Sequence, residues 1–240
     1  MTAIFKKEFN AFFGNLTGFL AVGLFLLFMG LLLFVFPQTS LLDYGYATLD
    51  KFFELAPWVL LLLVPAVTMR SFSDEYKAGT WEILKSRPVP NGKIVLGKFL
   101  GSFSIVLLAI LPTLIYWITI KILSINGSVD TGAILGSYMG LILLAASFTA
   151  MGIWCSSLSN NSIASFLLAA FLCFFLYKGF SAIAAIPALS GGADYWLSML
   201  GIEDHYMNIS RGLLTLHDLV YFFVLPAFFL FLTMKKTSLH

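Results

Sequence analysis

The most polar part of this sequence is the stretch 70–98, "RSFSDEYKAGTWEILKSRPVPNGKIVLGK", which holds nine of the 26 charged side chains. Residues 92–98 fit the first seven positions of the phosphate-binding pattern G-x-x-x-x-G-K-[ST]. The eighth position is Phe99, so the hydroxyl that would hold magnesium is missing. Such a loop also requires a strand before the first glycine, and no strand is predicted here. We therefore expect this chain not to bind ATP or another nucleotide by itself.

A second group of candidate residues lies near the C-terminal end, where acidic and histidine side chains are close together in sequence. They are Asp194, Glu203, Asp204, His205, His217 and Asp218. Carboxylates and imidazoles are metal ligands, but no H-E-x-x-H or comparable spacing is present. We predict a solvated loop with no metal, and no catalytic residues, since the sequence also lacks a G-x-S-x-G nucleophile motif.

Lys178 is an ionisable residue inside a long apolar run, and such a residue is by default a functional candidate. It lies roughly 22 Å along a helix that starts at Ile163, at a rise of about 1.5 Å per residue. That distance places the ammonium past the membrane midplane, next to Tyr177. We favour a lysine that extends its amine to the membrane surface over a role in transport.

The composition shows what must position these residues. Of 240 residues, 60% are hydrophobic and 11% are charged, whereas a soluble domain has about 25% charged residues. Six apolar runs predict an all-α membrane protein with six transmembrane helices. The runs are 16–36, 55–69, 99–120, 133–154, 163–186 and 219–234. We interpret residues 1–240 as one transmembrane domain. The two cysteines, Cys155 and Cys173, are expected to pack in the apolar interior.

The distribution of basic residues predicts the orientation. Ten of the fourteen Lys and Arg residues fall on the side that carries both termini and residues 70–98, and eight of the twelve acidic residues fall on the other. By the positive-inside rule, both termini and residues 70–98 are cytoplasmic. Because a net charge of +2 is small and scattered, we expect the lipid bilayer, and no nucleic acid, as a partner.

Two segments are predicted to lie along the membrane surface. In residues 1–15, apolar side chains share one helical face opposite Lys6, Lys7 and Asn10, which predicts an interfacial helix. Residues 187–217 alternate apolar and polar side chains at helical spacing, with a break at Gly201. We predict one or two short re-entrant or interfacial helices there, on the outer side.

Glycines at four-residue spacing predict close helix packing in the fourth span. They are Gly132, Gly136 and Gly140. Small residues at this spacing let a neighbouring helix approach closely. The sequence alone leaves open whether that neighbour belongs to the same chain.

The stretch 70–98 itself predicts two short helices joined by a bend. One side of the helical path is apolar, with Phe72, Tyr76, Ile83 and Leu84, and the other side is charged, with Asp74, Glu75, Lys77, Glu82 and Lys85. Gly79 interrupts the helical pattern, and Pro88, Pro90 and an Asn-Gly pair predict a turn. Lys93 and Lys98 are then expected to mark the return to the cytoplasmic membrane surface.

The same stretch resembles a known family. Glu75-x-x-x-Gly79-Thr80-x-Glu82-x-Leu84, followed by Pro88 and by Ile94-x-x-Gly97-Lys98, resembles the signature after the second span of ABC transporter permeases of the type-2 exporter class. "LAPWVLLLLVPAVTMRSF", "TGAILGSYMGL", "SSLSNN" and "ISRGLLTLHDLVYFF" extend the likeness over the chain. The first two of these, together with "DYGYATLD" and "FLLAAFLCFF", look most like the gliding-motility-associated permease subunit, the GldF type.

The resemblance implies a function as well as a fold. It implies a non-catalytic permease subunit in the bacterial inner membrane, paired with a cytosolic ABC ATPase that binds ATP and Mg. The coupling contacts to that ATPase would come from Phe72, Glu75, Tyr76, Gly79, Thr80, Glu82, Leu84 and Pro88. A second permease protomer, the same or related, would lie against the first and fifth spans. The alternative is a membrane anchor or scaffold of a motility or secretion complex that transports nothing.

Overall fold

The structure is a computed structural model that describes residues 1–14, 16–37, 39–40, 48–86, 89–124, 130–187 and 192–239. Within these residues all regular secondary structure is helical, which confirms the predicted all-α class. The helices are α1 (Thr2–Phe13), α2 (Leu16–Phe34), α3 (Asp50–Thr68), α4 (Arg70–Lys77), α5 (Thr80–Lys85), α6 (Asn91–Ile110), α7 (Leu114–Leu123), α8 (Thr131–Ser156), α9 (Ser162–Phe174), α10 (Phe180–Ala184), α11 (Ala193–Ser198), α12 (Ile202–Ser210) and α13 (Leu216–Leu239).

Five helical runs among the described residues are long and apolar enough to cross a membrane. They are Asp50–Lys77, Asn91–Leu123, Thr131–Ser156, Ser162–Ala184 and Leu216–Ser238. They match the second to sixth predicted spans. The run Asp50–Lys77 extends beyond the second predicted span into the polar stretch. The first predicted span is α2, which reaches the same criterion only together with α1, from which it is bent by 69°. The protein is therefore an all-α membrane protein with five to six candidate spans.

Two of these runs contain a local change of helix type. A 3₁₀ turn, Leu111–Thr113, separates α6 from α7, because Pro112 lacks the amide that an α-helix needs there. A π-helical turn, Phe175–Gly179, joins α9 to α10 and contains Lys178. Such π turns occur often at functional positions.

Helix α8 lies at the centre of the bundle and packs against α3, α6, α9, α12 and α13. Its inward side chains Leu141, Leu144 and Phe148 have no exposed surface. A Cβ on Gly152 would lie 2.1 Å from the Thr68 Oγ1, so only glycine permits this contact between α8 and α3. Cys155 and Cys173 are buried and unbonded, which confirms their predicted packing role.

Helix α1 packs across α6 as the predicted amphipathic helix. Its apolar side chains are half-buried, whereas Lys6, Lys7 and Asn10 are exposed. A Cβ on Gly101 would lie 2.8 Å from the Glu8 Cβ, and one on Gly97 would lie 3.0 Å from Ile4. Two glycines one turn apart on α6 thus bring the charged residues of α1 close to α6.

Candidate functional site

The polar stretch forms two helices that meet at the predicted glycine. Gly79 precedes α5 with φ of 66°, a left-handed conformation that side chains other than glycine adopt at a cost. α4 therefore ends and α5 begins with a change of direction at one residue, which confirms the predicted bend. Pro88, the predicted turn residue, lies outside the described residues.

The apolar side of α4 and α5 is an aromatic cluster. Phe72 has no exposed surface and its ring lies 5.5 Å from that of Trp81, while the rings of Tyr76 and Trp81 are 5.7 Å apart. The sequence pattern did not indicate Trp81 for this role. The assignment of Ile83 to the apolar side was wrong, since its side chain is 62% exposed.

The assignment of Glu75 to the solvated side was also wrong, since this residue is only 8% exposed. Lys98 has no exposed surface, and its ammonium lies 2.8 Å from the Glu8 Oε1 and 3.0 Å from the Glu75 Oε1. It also donates a hydrogen bond of 2.5 Å to the Ser71 carbonyl oxygen. Two of the three N–H donors of the ammonium make hydrogen bonds, to Glu8 and Ser71, and the contact with Glu75 is an ion pair. Burial is possible because each charge is paired.

Lys7 joins the same group from α1, with its Nζ 2.6 Å from the Glu75 Oε1. Partial burial acts to lower the pKa of Lys7, but its hydrogen bond and its attraction to Glu75 outweigh burial and raise that pKa. We call Lys7, Glu8, Glu75 and Lys98 the lysine–glutamate cluster. It fastens α1 and α6 to α4.

The junction between α8 and α9 holds α4 from the other side. The Ser156 Oγ accepts hydrogen bonds from the backbone amides of Phe72 and Ser73, at 3.0 and 3.3 Å, and donates to the Met69 carbonyl at 3.0 Å. The Ser162 Oγ donates to the Asp74 Oδ1 at 2.7 Å. Both serines belong to or follow the "SSLSNN" motif, and nothing in the local pattern of residues 70–98 indicated them.

The predicted coupling residues therefore divide into two sets. Phe72 and Glu75 are buried inside the chain, and Tyr76 and Leu84 are half-buried. The exposed predicted coupling residues are Gly79, Thr80 and Glu82, at the start of α5, next to the exposed Ile83 and Lys85.

Residues 92–98, which resembled a phosphate loop, are helical in α6. The only lysine that fits the motif, Lys98, is buried in the lysine–glutamate cluster. A phosphate loop needs backbone amides that turn toward the ligand, whereas these amides belong to a continuous helix.

The three predicted packing glycines of α8 differ in their surroundings. A Cβ on Gly140 would lie 2.8 Å from the Ile209 side chain of α12, and one on Gly136 would lie 3.9 Å from the Ile209 carbonyl oxygen. The nearest group to Gly132 is its own N-cap, Asp130, at 3.4 Å. The neighbour of the glycine face is thus α12 of the same chain, and Gly132 does not take part.

Residues 187–217 contain the two predicted short helices, α11 and α12, separated at Gly201. The Tyr206 hydroxyl donates a hydrogen bond of 2.7 Å to the Phe53 carbonyl oxygen, and Tyr206 has no exposed surface. Lys178 forms an ion pair with Glu203 of α12. This carboxylate lies on α12, outside the candidate spans, and sequence reasoning had not indicated it as a partner of Lys178.

Three of the predicted outer residues come together, and we call them the histidine cluster. His205, His217 and Asp218 each offer a ligand atom within 4.8 Å of the others. His205 and Asp218 are almost fully buried, with 2.5 Å between Nδ1 and Oδ1, and the Thr215 hydroxyl donates to the second oxygen at 2.7 Å.

Both ring nitrogens of His205 have protein partners. Nε2 lies 2.9 Å from the Met199 carbonyl oxygen, and Nδ1 lies 2.5 Å from the Asp218 Oδ1. A metal would have to replace the contact between Nδ1 and the carboxylate, so the geometry favours a hydrogen-bonded pair that holds α12 to α13 over a metal site.

The comparisons with known proteins agree with the described architecture. No curated protein matches the chain. A family model described as "ABC-2 family transporter protein" matches residues 2–235, which is nearly the whole length. The match covers the α4–α5 segment and all the candidate spans except the last three residues of Leu216–Ser238. The chain therefore belongs to the ABC-2 transporter family, as a membrane permease subunit.

Proposed function

We propose that this permease subunit transmits the closure of a separate cytosolic ABC ATPase to its own membrane helices through α4 and α5. The observation that carries the proposal is the way α4 is held. It continues directly from the α3 run, is bonded to α6 and α1 through Lys98 and Glu75, and is bonded to the α8–α9 junction through Ser156. A force on α5 would reach four spans through buried contacts.

The exposed face of α5 is the contact that we assign to the ATPase. Thr80, Glu82 and Lys85 are polar, and Ile83 is a single large apolar side chain among them. An apolar residue within a polar rim is the usual anatomy of a reversible interface. Phe72 and Glu75 would act through the rigidity of α4, without touching the partner. ATP and Mg would be bound by the ATPase, so that this chain is non-catalytic.

The same proposal includes the orientation and the membrane. With α4 and α5 facing the ATPase, the side rich in Lys and Arg is cytoplasmic, in accordance with the positive-inside rule. Both termini then also face the cytoplasm, and the histidine cluster faces outward. We assign the protein to the bacterial inner membrane.

A second permease protomer, the same or related, would complete the transporter. Only 22% of the most apolar part of Ser162–Ala184 is buried within the chain. On α9, the residues Ile163, Leu167 and Phe171 are 61–70% exposed. α2 has a similar apolar face, with Phe19 at 60%. These faces would be shared between lipid and the second protomer. The sequence likeness to the GldF type favours gliding motility or secretion as the process served.

The test uses the exposed side chain at the tip of α5. Ile83→Arg should leave the protein in the membrane but reduce the amount of ATPase that co-purifies from native membranes in mild detergent, by at least tenfold. Leu158→Arg is the matched control, because Leu158 is also an exposed apolar residue, 42% exposed, in the turn after α8. Equal recovery of the ATPase with both variants would contradict the proposed contact.

A second experiment distinguishes the proposed coupling function from the alternative, a membrane anchor that transports nothing. A hydrolysis-dead ATPase would still assemble with the permease in both cases. If motility or secretion continued with the dead ATPase, the anchor would be the correct function, and coupling by α4 and α5 would be rejected.

A further inference from the structure

A cavity of about 320 Å³ lies beside the lysine–glutamate cluster. Its polar end is lined by Lys7, Arg70, Ser71 and Glu75, among others. Its other end is lined by apolar side chains from four helices, namely Phe12 of α1, Ala21 of α2, Val67 of α3 and Ile105 of α6. The volume is within the range of small-molecule sites and far above the roughly 30 Å³ of one water.

Two buried polar atoms of this lining have no hydrogen-bond partner among the described residues. They are the Glu75 Oε2 and the Ser71 Oγ, in residues that are 8% and 5% exposed. Both lysines of the cluster contact the Oε1 of Glu75, so its second oxygen is left to accept from another donor. A buried carboxylate oxygen without a donor is costly, so the group that fills this end of the cavity must offer an N–H or O–H.

The charges at the cavity mouth add a second requirement. Arg70 is exposed and forms no ion pair with any described residue, and guanidinium groups bind phosphate in a bidentate manner. The lining also contains Glu8 and Asp74, but Glu8 pairs with Lys98 and Asp74 accepts a hydrogen bond from Ser162. A small metal cation would leave Arg70 without an anion and the apolar end unfilled. A ligand that serves all parts of the cavity combines an amine, an anion and an apolar part.

We propose that this cavity binds the phosphoethanolamine headgroup of a membrane phospholipid, with the ammonium donating to the Glu75 Oε2 and the phosphate on Arg70. The cavity lies where the apolar α3 passes into the polar α4 and beside the amphipathic α1, which is the depth of lipid headgroups. The first carbons of an acyl chain would lie against Val67 and Ile105. The bound lipid would join α1 to the base of α4. This binding does not depend on the ATPase or on the proposed coupling.

The test compares two lipids that differ only in the headgroup ammonium, which carries N–H groups in ethanolamine and three methyl groups in choline. The full-length protein is placed in nanodiscs of phosphatidylcholine with 10% phosphatidylethanolamine, and the lipids retained after detergent extraction are counted by native mass spectrometry. A choline headgroup has no N–H, so we expect ethanolamine lipid to be enriched on the protein at least tenfold over its share of the nanodisc. Equal retention of both lipids would overturn the proposal.

Variants assign the binding to the cavity. Arg70→Gln should lower the retention of ethanolamine lipid about tenfold, the size of a lost charged hydrogen bond. Lys77→Gln on the same helix is the control, because Lys77 is exposed and does not line the cavity. Glu75→Gln replaces the accepting oxygen by an amide donor and should remove the preference over choline. A Lys77→Gln effect as large as that of Arg70→Gln would overturn the assignment.

A soluble source of the same headgroup is tested in parallel. Free O-phosphoethanolamine at millimolar concentration should displace little lipid, because it lacks the chain that contacts the apolar end. If it bound as well in the absence of ethanolamine lipid, the site would belong to a soluble ligand and the lipid proposal would be wrong.

Discussion

The lysine–glutamate cluster and the histidine cluster lie at opposite ends of α8, and they hold the chain together in different ways. Ser156, beside the first cluster, and Gly140, beside α12, are separated by 16 residues, or about 24 Å of helix. The first cluster joins residues 68 and 90 positions apart, such as Lys7 with Glu75 and Lys98 with Glu8. The second joins His205 to Asp218, only 13 positions apart.

This difference shows which end is built to move as one body. Long-range ion pairs fasten α1, α4 and α6 together, so that α4 cannot shift without them. The histidine cluster fixes α12 to the start of α13. The Lys178–Glu203 ion pair connects α12 to the π-helical turn before α10. The first arrangement links three helices that are remote in sequence, as the proposed coupling requires. The second closes a local loop over the bundle.

The largest change in stability is expected when Lys98, the centre of the lysine–glutamate cluster, is replaced. Lys98→Met should lower the free energy of unfolding by about 3–5 kcal/mol, because it leaves the half-buried Glu8 without its partner and removes one of the two lysines that pair with the buried Glu75. The measurement is a denaturant titration in mixed micelles. Lys93→Met on the same helix is the control, since Lys93 is exposed. A loss below that of the control would mean that the cluster is not a structural junction.

The corresponding test at the other end is expected to give a smaller loss. His205→Leu should cost about 1–3 kcal/mol, because the Asp218 Oδ1 loses its donor while the Oδ2 keeps the Thr215 hydroxyl. His217→Leu is the matched control, since His217 is 63% exposed and 4.0 Å from Asp218. If zinc protected the wild type from unfolding and the control did not respond, the cluster would be a metal site instead.

The stability of the bend between α4 and α5 should depend on the backbone conformation of Gly79 and not on side-chain contacts at this position. No atom lies within 4 Å of a Cβ placed on Gly79, so Gly79→Ala should cost about 1–2 kcal/mol through its left-handed φ. Gly79→Asn should cost less, since asparagine tolerates this conformation. Gly79→Pro, whose φ is fixed near −65°, should abolish coupling to the ATPase while membrane insertion remains. Equal stability of the Ala and Asn variants would exclude a backbone effect.

Much of the fold was predictable because apolar runs of span length have few other uses. The positions of α2, α3, α6, α8 and α13 follow from such runs, and the break at Gly79 follows from the residue type. The face of α5 was not predictable by extending the α4 pattern, because a positive φ at Gly79 resets the helical phase. This is why Ile83 was placed on the wrong side.

The polar contacts were the least predictable part of the candidate site. Periodicity shows that Glu75 and Lys98 are charged positions on helices, but their burial depends on Glu8 and Lys7 of a distant helix. Likewise, the equal spacing of the α8 glycines cannot reveal that Ile209 reaches only two of them. Pairing between remote elements is a property of the packed chain, and no local pattern encodes it.

The smallest effect is expected at Lys178, whose ion pair with Glu203 is part of the outer arrangement. The Lys178 side chain is 41% exposed, and exposed ion pairs contribute about 0–1 kcal/mol. Lys178→Met should therefore change the free energy of unfolding by less than either His205→Leu or Lys98→Met. It should also leave ATPase association unchanged, since α12 and α5 lie at opposite ends of the bundle. A loss of transport without a loss of stability would instead make Lys178 a residue of the transport path, and the outer end would then be more than a local closure.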